Sequence, residues 1–210
     1  MTGMPTGSSR PRAVVSDLGG VFVRVDMSPL RELLARSSGL GPEEAWRRVW
    51  EDSAWGRHQR GEISTGELVR EGGRRLGAQL DEDAFTRAWC SIFPGLMDGI
   101  ADLYREVRSR GLALVAFSNT NAPHMDCLRR RFEEMALFER VFASHEMGLR
   151  KPEPESFLRV ISELGLAPAE CVFVDDLEAN CAAARDVGMR SVLARGTPSV
   201  REGLAALGCV

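Results

Sequence analysis

The apolar and polar positions of this chain alternate between two patterns. Short unbroken apolar runs at Ala13–Val15, Leu112–Phe117, Val172–Val174 and Ser191–Ala194 predict strands buried on both faces, as in parallel sheets. Residues 140–144 predict a further short strand. Between these runs the apolar residues recur at helical spacing. Met97, Ile100, Leu103, Tyr104 and Val107 make one stripe that closes near Gly111. Helices are also predicted after Asn121, from about Glu155 to Leu164, from Asp176 through Ala184 to Gly188, and from Pro198 to Leu207. Strands alternating with helices predict an α/β fold with a parallel sheet covered on both faces.

Residues 26–96 interrupt that rhythm. Pro29–Ala35 reads as a short helix. Pro42-Glu43-Glu44 opens another, with proline in the first turn, acids on the helix dipole, and Ala45, Trp46, Val49 and Trp50 on one face. Trp55–Gly61 is polar and glycine-punctuated and reads as a loop. Ser64 and Glu67 can cap a helix running to about Leu76, and Asp81–Cys90 forms the last. No strand pattern appears here. The expected organisation is therefore a core of residues 1–25 and 97–210, with residues 1–10 a flexible tail, and an all-helical cap of residues 26–96.

Composition narrows the function. In 210 residues, 44% are hydrophobic and 27% charged, as in ordinary globular proteins. A net charge of −3 gives no general attraction to nucleic acid or anionic lipid, so neither is expected as a partner. The longest apolar run is too short to span a bilayer, and the first ten residues lack a signal-peptide core. Cys90, Cys127, Cys171, Cys181 and Cys209 form no C-x-x-C pair and read as reduced thiols of a cytoplasmic protein. Arg129–Arg131 and Glu133–Glu134 stand three and four residues apart, as on a solvated helix face. Lysine and arginine total 27, yet Lys151 is the sole lysine. In so arginine-biased a chain, it marks a place where a compact ammonium is needed and a planar guanidinium will not fit.

Candidate chemistry gathers at strand ends. Asp17, Ser118-Asn119 and Asp175-Asp176 each close an apolar run, and in a parallel sheet all such ends face one crevice. Carboxylates crowded together repel unless they share a cation. Oxygen-only donors suit a hard ion, most simply Mg²⁺. Such a site attracts phosphate, with the metal and Lys151 neutralising its charge and Ser118 donating to its oxygens.

Four segments in order, Ser16-Asp17-Leu18-Gly19-Gly20-Val21, Phe117-Ser118-Asn119-Thr120, Gly148-Leu149-Arg150-Lys151-Pro152-Glu153-Pro154 and Val174-Asp175-Asp176-Leu177-Glu178-Ala179-Asn180, resemble the motifs of the haloacid dehalogenase-like hydrolases. The resemblance covers nearly everything after the first ten residues and implies that family's Rossmann-like core with an inserted helical cap. Within it, the chain looks most like the α-D-glucose-1-phosphate phosphatases of bacteria and the phosphatase domain of soluble epoxide hydrolase. The implied activity is Mg²⁺-dependent hydrolysis of a small phosphorylated metabolite, with a sugar phosphate such as glucose 1-phosphate as the expected kind. The implied nucleophile is Asp17, which forms an aspartyl-phosphate. Asp17, the Gly19 carbonyl and Asp176 would hold the metal, with Asp175 a further ligand or a hydrogen-bond acceptor beside it. Lys151 would bridge Asp17 and the phosphoryl group. Ser118, Asn119 and the Gly19-Gly20 backbone would hold its oxygens, and Asn180 would order the Asp175-Asp176 loop.

Gly19 departs from the pattern, because most phosphatases of the family carry an acid/base aspartate there. The departure is expected to select leaving groups that need little protonation, such as an anomeric sugar oxygen or an acyl phosphate. Otherwise it leaves a weakly active phosphate-binding module. A metal-free 2-haloacid dehalogenase is the other alternative, though Asp175-Asp176 would repel a carboxylate substrate. Trp55, Arg57, His58 and Arg60 are expected to contact substrate from the cap, and His124 and His145 are expected to be surface or capping residues.

Overall fold

The computed structural model describes residues 10–50 and 53–210, leaving almost all of the expected tail outside the described residues. The first strand, β1 (Ala13–Ser16), is wholly buried and lies at the centre of the sheet. Five helices follow: α1 (Ser28–Ser38), α2 (Pro42–Trp50), α3 (Ser53–Gln59), α4 (Thr65–Leu76) and α5 (Glu82–Cys90). The remainder alternates: α6 (Ile100–Ser109), β2 (Ala113–Ser118), α7 (Ala122–Arg131), β3 (Arg140–Ala143), α8 (Ser144–Met147), α9 (Pro154–Leu164), β4 (Cys171–Asp175), α10 (Glu178–Asp186), β5 (Arg190–Leu193) and α11 (Thr197–Ala206).

The sheet is parallel throughout, in the order β3-β2-β1-β4-β5. Successive strands move outward on one side of β1 and then resume on its other side, so the strand order reverses beside β1. Crevices at such reversals receive ligands in doubly wound sheets. Both sheet faces are buried, which is why the strands read as continuous apolar runs. Val14, Leu114, Val172 and Val174 join a core that continues through Phe22 into Leu30, Phe85 and Trp89 of the helical segment. Val15, Val115, Phe117 and Phe173 pack against Phe157 and Ile161 of α9 on the other face.

The two connections to the five-helix segment pair with each other. Arg24 N–H donates to Gly95 O (2.8 Å), Asp26 N–H to Ile92 O (2.7 Å) and Met97 N–H to Phe22 O (2.9 Å). Among the described residues the segment between them contains no strand. Its helix starts follow local chemistry. Ser64 and Glu67 form a reciprocal capping box on α4, and Asp81 accepts from Ala84 N–H at the start of α5.

Three expectations change. Residues 53–59 are helical rather than looped, because Trp55 and His58, one turn apart, both pack at a tilt against Trp89 at ring-centroid distances of 5.3 Å. The helix carrying Arg129–Arg131 stops at Arg131. Phe132 is extended, so Glu133 and Glu134 belong to a separate 3₁₀ turn, and Arg131 instead donates to Cys90 O at 3.0 Å. Cys90 and Cys127 are not reduced thiols. They form a disulfide joining the end of α5 to α7, with Cα atoms 5.8 Å apart. Cys171, Cys181 and Cys209 remain free and buried as core filler, and burial pushes the thiols of Cys171 and Cys181 up to about 11.

His124 also departs from expectation. It is buried between Trp89 and Phe93, with centroids 4.6 and 4.9 Å away, while its backbone N–H donates to the Asn121 side chain that caps α7. Burial lowers His124 to about 3 and His58 to about 4. An unfolded histidine titrates near 6.5. As pH falls from there toward 4, the unfolded chain takes up protons that the folded chain refuses, so acid favours unfolding. The melting temperature is expected to fall by about 5 °C or more between pH 7 and pH 5. The fall should be smaller in His124→Phe. Asp17, raised to about 6, opposes part of this fall, so the comparison between variants decides: an equal fall in wild type and His124→Phe would mean that His124 charges freely in the folded state.

Candidate active site

β1 ends in Ser16 and hands the chain to Asp17, the residue on which the site converges. Ser16 Oγ donates to Asp17 O (2.7 Å) and shares a hydrogen bond of 2.5 Å with the buried Tyr104 hydroxyl. Asp17 N–H donates to Val174 O at 2.8 Å, which ties this turn to β4. The Asp17 carboxylate accepts from Leu18 N–H (2.7 Å) and meets Lys151 Nζ at 3.0 Å.

β1 is flanked by β2 and β4, so the residues ending those strands come to either side of Asp17. Oxygens of Asp17, Asp175 and Asp176 lie within 4.8 Å of one another. Their roles are already unequal. Asp175 is fully buried and saturated. One oxygen accepts from Leu177 N–H and Asn180 Nδ2 (both 2.9 Å), and the other from Lys151 Nζ at 2.6 Å. Asp176 is exposed at the cleft and makes no such bonds to its neighbours. Burial raises Asp17 to about 6, with Asp175 adding repulsion and Lys151 opposing both. Burial and Asp175 also raise Asp176. Burial alone would discharge Lys151, but Asp17 and Asp175 hold its ammonium above the usual lysine range. Three clustered carboxylates with one ammonium among them leave an excess of negative charge in a poorly hydrated place, which a divalent cation could offset.

Asn119 does something different from the expected phosphate contact. Its Nδ2 donates to Lys151 O, and its Oδ1 accepts Lys151 N–H, both at 2.8 Å. The side chain thus clamps the loop that presents the lysine, and the Lys151–Pro152 peptide in that loop is cis. Ser118 is buried at the end of β2, and its hydroxyl makes no hydrogen bond among the described residues. Gly20 is required by geometry. Its φ is +75°, and a Cβ there would stand 2.3 Å from Asp176 Oδ2. Gly20→Ala is expected to displace Asp176 and, if the cluster holds Mg²⁺, to weaken that binding at least about tenfold. Titration of apparent Mg²⁺ affinity in a phosphate-release assay tests this, and unchanged affinity would remove Asp176 from the metal site.

The cleft above these groups encloses about 740 Å³. It is lined by Asp17, Gly19, Gly20, Asn119, Lys151, Asp176 and Asn180, together with Arg24, Val25, Gln59, Met97, Arg150 and Leu177. Trp55, Arg57 and His58 do not line it. Trp55 and His58 pack on Trp89 inside the helical segment, and Arg57 is exposed near Glu62. The helix segment's own contribution is Gln59, whose Nε2 donates to Asn119 O at 3.3 Å. Arg60 reaches the core through an ion pair with Glu153. Of the lining residues outside the motifs, Val25 and Met97 stand at the two connections to the five-helix segment.

Strand-end carboxylates braced by a buried lysine, at the strand-order reversal of a parallel sheet, define an α/β protein with an acidic candidate site at its topological switch point. The family model for haloacid dehalogenase-like hydrolases matches residues 11–188. This chain belongs to that family. It is 29% identical over 180 residues to a sesquiterpene phosphatase of Aspergillus oryzae, covering 85% of this chain and 87% of that one. It is 40% identical over 144 residues to bifunctional epoxide hydrolase 2 of Rattus norvegicus, covering 63% of this chain and 25% of the relative. A family enzyme from Bacteroides thetaiotaomicron, crystallised with magnesium and inorganic phosphate, superposes with a TM-score of 0.78 at 25% identity, covering 88% of this chain and 94% of that one. The chain is a hydrolase with phosphatase relatives, and no helix among its described residues is long and apolar enough to cross a membrane.

Proposed function

We propose that this protein is a Mg²⁺-dependent phosphatase of a small phosphorylated metabolite and works through an aspartyl-phosphate on Asp17. The observation that carries this reading is the cluster of three carboxylate side chains, two of which meet a single buried ammonium. The donor set fits the ion: clustered carboxylate oxygens, no sulfur or imidazole, and a glycine whose missing Cβ leaves Asp176 its place. Asp17, the Gly19 carbonyl and Asp176 would hold it, while Asp175, locked by Asn180, Leu177 and Lys151, orients the loop. Bound there, Mg²⁺ would offset the charge of the phosphoryl oxygens.

The chain's own groups supply the rest. An Asp17 carboxylate oxygen bonds to phosphorus in line with the departing oxygen. Lys151 neutralises charge between nucleophile and phosphoryl group, and the unpartnered Ser118 hydroxyl donates to a phosphoryl oxygen. Water then hydrolyses the acyl phosphate and regenerates Asp17. Gly19 supplies no proton, so the leaving group departs with little protonation. Glucose 1-phosphate is the sugar-phosphate candidate of that kind. The named phosphatase relatives support phosphoester chemistry without choosing the alcohol.

A phosphate-release panel of sugar, nucleotide and acyl phosphates, with and without Mg²⁺, tests the reading. Release that requires Mg²⁺ is expected. Gly19 favours one second reading, a weakly active phosphate-binding module, and that reading replaces the first if no member of the panel is hydrolysed. Chloride release from 2-chloropropionate after EDTA treatment would instead point to dehalogenation.

A further inference from the structure

We propose that the cleft is built for a phosphoanhydride bearing a hydrocarbon group, with Arg150 receiving the leaving oxyanion and Val25, Met97 and Leu177 covering the hydrocarbon. This rests on the phosphatase reading above and specifies its substrate class.

Three observations converge on it. The first is the lack of a proton donor. A Cβ at Gly19, two residues from the nucleophile, would lie 3.4 Å from Val25 Cγ2, so the space where an acid would stand faces a hydrocarbon wall. Apart from Asp17 and Asp176, assigned above to phosphorus and to the metal, no carboxylic acid, histidine, tyrosine or cysteine among the described residues lines the cleft, and its lysine is held by Asp17 and Asp175. Proton transfer to an alkoxide commonly contributes about 10² to 10⁴ in rate. A leaving carboxylate or phosphate needs no such help, because it is already a stable anion at neutral pH.

The second is a surplus cation. The Arg150 guanidinium makes no ion pair and no side-chain hydrogen bond among the described residues, and its Nε is buried without a partner. The neighbouring Glu153 pairs with Arg60 and accepts Arg150's own backbone N–H. The other cleft arginine, Arg24, pairs with Asp98. Gly56 of α3 makes room for Arg150, since a Cβ there would stand 3.1 Å from its Nη1. A half-buried guanidinium left without an anion in a phosphate-type cleft is available to a second anionic group on the substrate.

The third is an apolar lip. Val25 and Leu177 are 44% and 57% exposed, two of three large hydrophobic residues so exposed among those described, and both border the cleft beside Met97. Exposed apolar side chains concentrated at a site mark contact with an apolar ligand.

The chemistry balances. An Asp17 oxygen forms a bond to the terminal phosphorus and the bridging P–O bond breaks. Its electron pair stays on the bridging oxygen, which leaves as a carboxylate or phosphate oxyanion beside Arg150. Water then cleaves the acyl phosphate, giving inorganic phosphate, free Asp17 and one proton.

The test measures Mg²⁺-dependent phosphate release from octanoyl phosphate, octyl diphosphate, acetyl phosphate, octyl monophosphate and glucose 1-phosphate. The two octyl-chain anhydrides separate a carboxylate from a phosphate leaving group. At least one should exceed octyl monophosphate and glucose 1-phosphate in kcat/KM by about 10²-fold. Arg150→Ala and Arg150→Gln should cut that anhydride rate by about 10²-fold, at least tenfold more than the monophosphate rate, with partial recovery in Arg150→Lys. Leu177→Asn should raise KM for the octyl anhydride more than for acetyl phosphate. Equal turnover of glucose 1-phosphate and the anhydrides, or an Arg150 effect uniform across the panel, overturns the substrate class while leaving the phosphatase reading intact. Phosphate release from none of the five overturns the substrate class, and failure of the nucleotides of the wider panel as well overturns the phosphatase reading.

Discussion

Replacing Asp17 with asparagine is expected to lower phosphate release by at least about 10⁴-fold, the scale on which loss of a covalent nucleophile is felt. The amide matches the carboxylate in shape and keeps an oxygen to accept Leu18 N–H, so the turn after β1 should persist. It cannot supply the anionic oxygen that attacks phosphorus. Asp17 is buried, its carboxyl raised to about 6 by lost hydration and by the neighbouring Asp175, so the folded protein bears a cost for the charge it needs. Removing that charge leaves Lys151 paired with Asp175 at 2.6 Å. Asp17→Asn should therefore melt at or above the wild-type temperature while being inactive. That combination separates a chemical role from a structural one. Activity within tenfold of wild type would exclude Asp17 as nucleophile, and an inactive variant that melts well below wild type would leave the loss attributable to misfolding. A phosphate-release assay in excess Mg²⁺ and a metal-free thermal melt on the same preparation, so that bound ion does not favour the wild type, decide it.

The parts of this architecture that were legible in the sequence are those whose signal is local. β1, β2 and β4 are buried on both faces, and the apolar runs that result locate the strand ends, and therefore Asp17, Ser118 and Asp175, within a residue or two. What the sequence hid depends on neighbours distant along the chain. Residues 53–59 look like a loop because Gly56 and the polar Arg57-His58-Gln59 have no helical stripe. The helix is held by Trp89, thirty-odd positions on, and its glycine makes room for Arg150. Cys90 and Cys127 meet only because α5 packs on α7. His124 looks like an exposed helix-start residue until Trp89 and Phe93 close over it. Asn119 was expected to touch phosphate. Its amide is instead consumed by both backbone groups of Lys151, a pairing across 32 residues that no motif spacing reveals. Arg150 had no signal at all, being one more arginine in an arginine-rich chain. Its distinction is the absence of a partner, which only the folded arrangement displays.

The second large effect is expected from Lys151→Arg, a change that preserves charge. Lys151 is 1% exposed, with Nζ between the Phe117 and Phe173 rings at 5.3 and 5.4 Å from their centroids and against Asp17 and Asp175. An ammonium is compact and directs three donors tetrahedrally, two of them already committed to different carboxylates. A guanidinium is longer and planar, and its fork matches one carboxylate face-on rather than two set at an angle. To fit, it must push aside Phe117 or Phe173, whose rings also pack on Phe157, or tilt Asp17 off the line of attack. Overpacking of this kind destabilises by about 1–3 kcal/mol. A nucleophile moved by about 1 Å can lose about 10²-fold in rate. Lys151→Arg is thus expected to melt several degrees lower and to lose about 10²-fold or more in kcat, with a smaller change in KM. Lys151→Met separates the contributions. It relieves the crowding but strands Asp175 and Asp17 without their cation, and breaking a buried pair by removing one partner costs about 3–5 kcal/mol. It should therefore be the less stable of the two and equally inactive. Full activity in Lys151→Arg would show that the pocket between the two rings accepts a guanidinium, and that the sole lysine among 27 basic residues has no steric reason to be there.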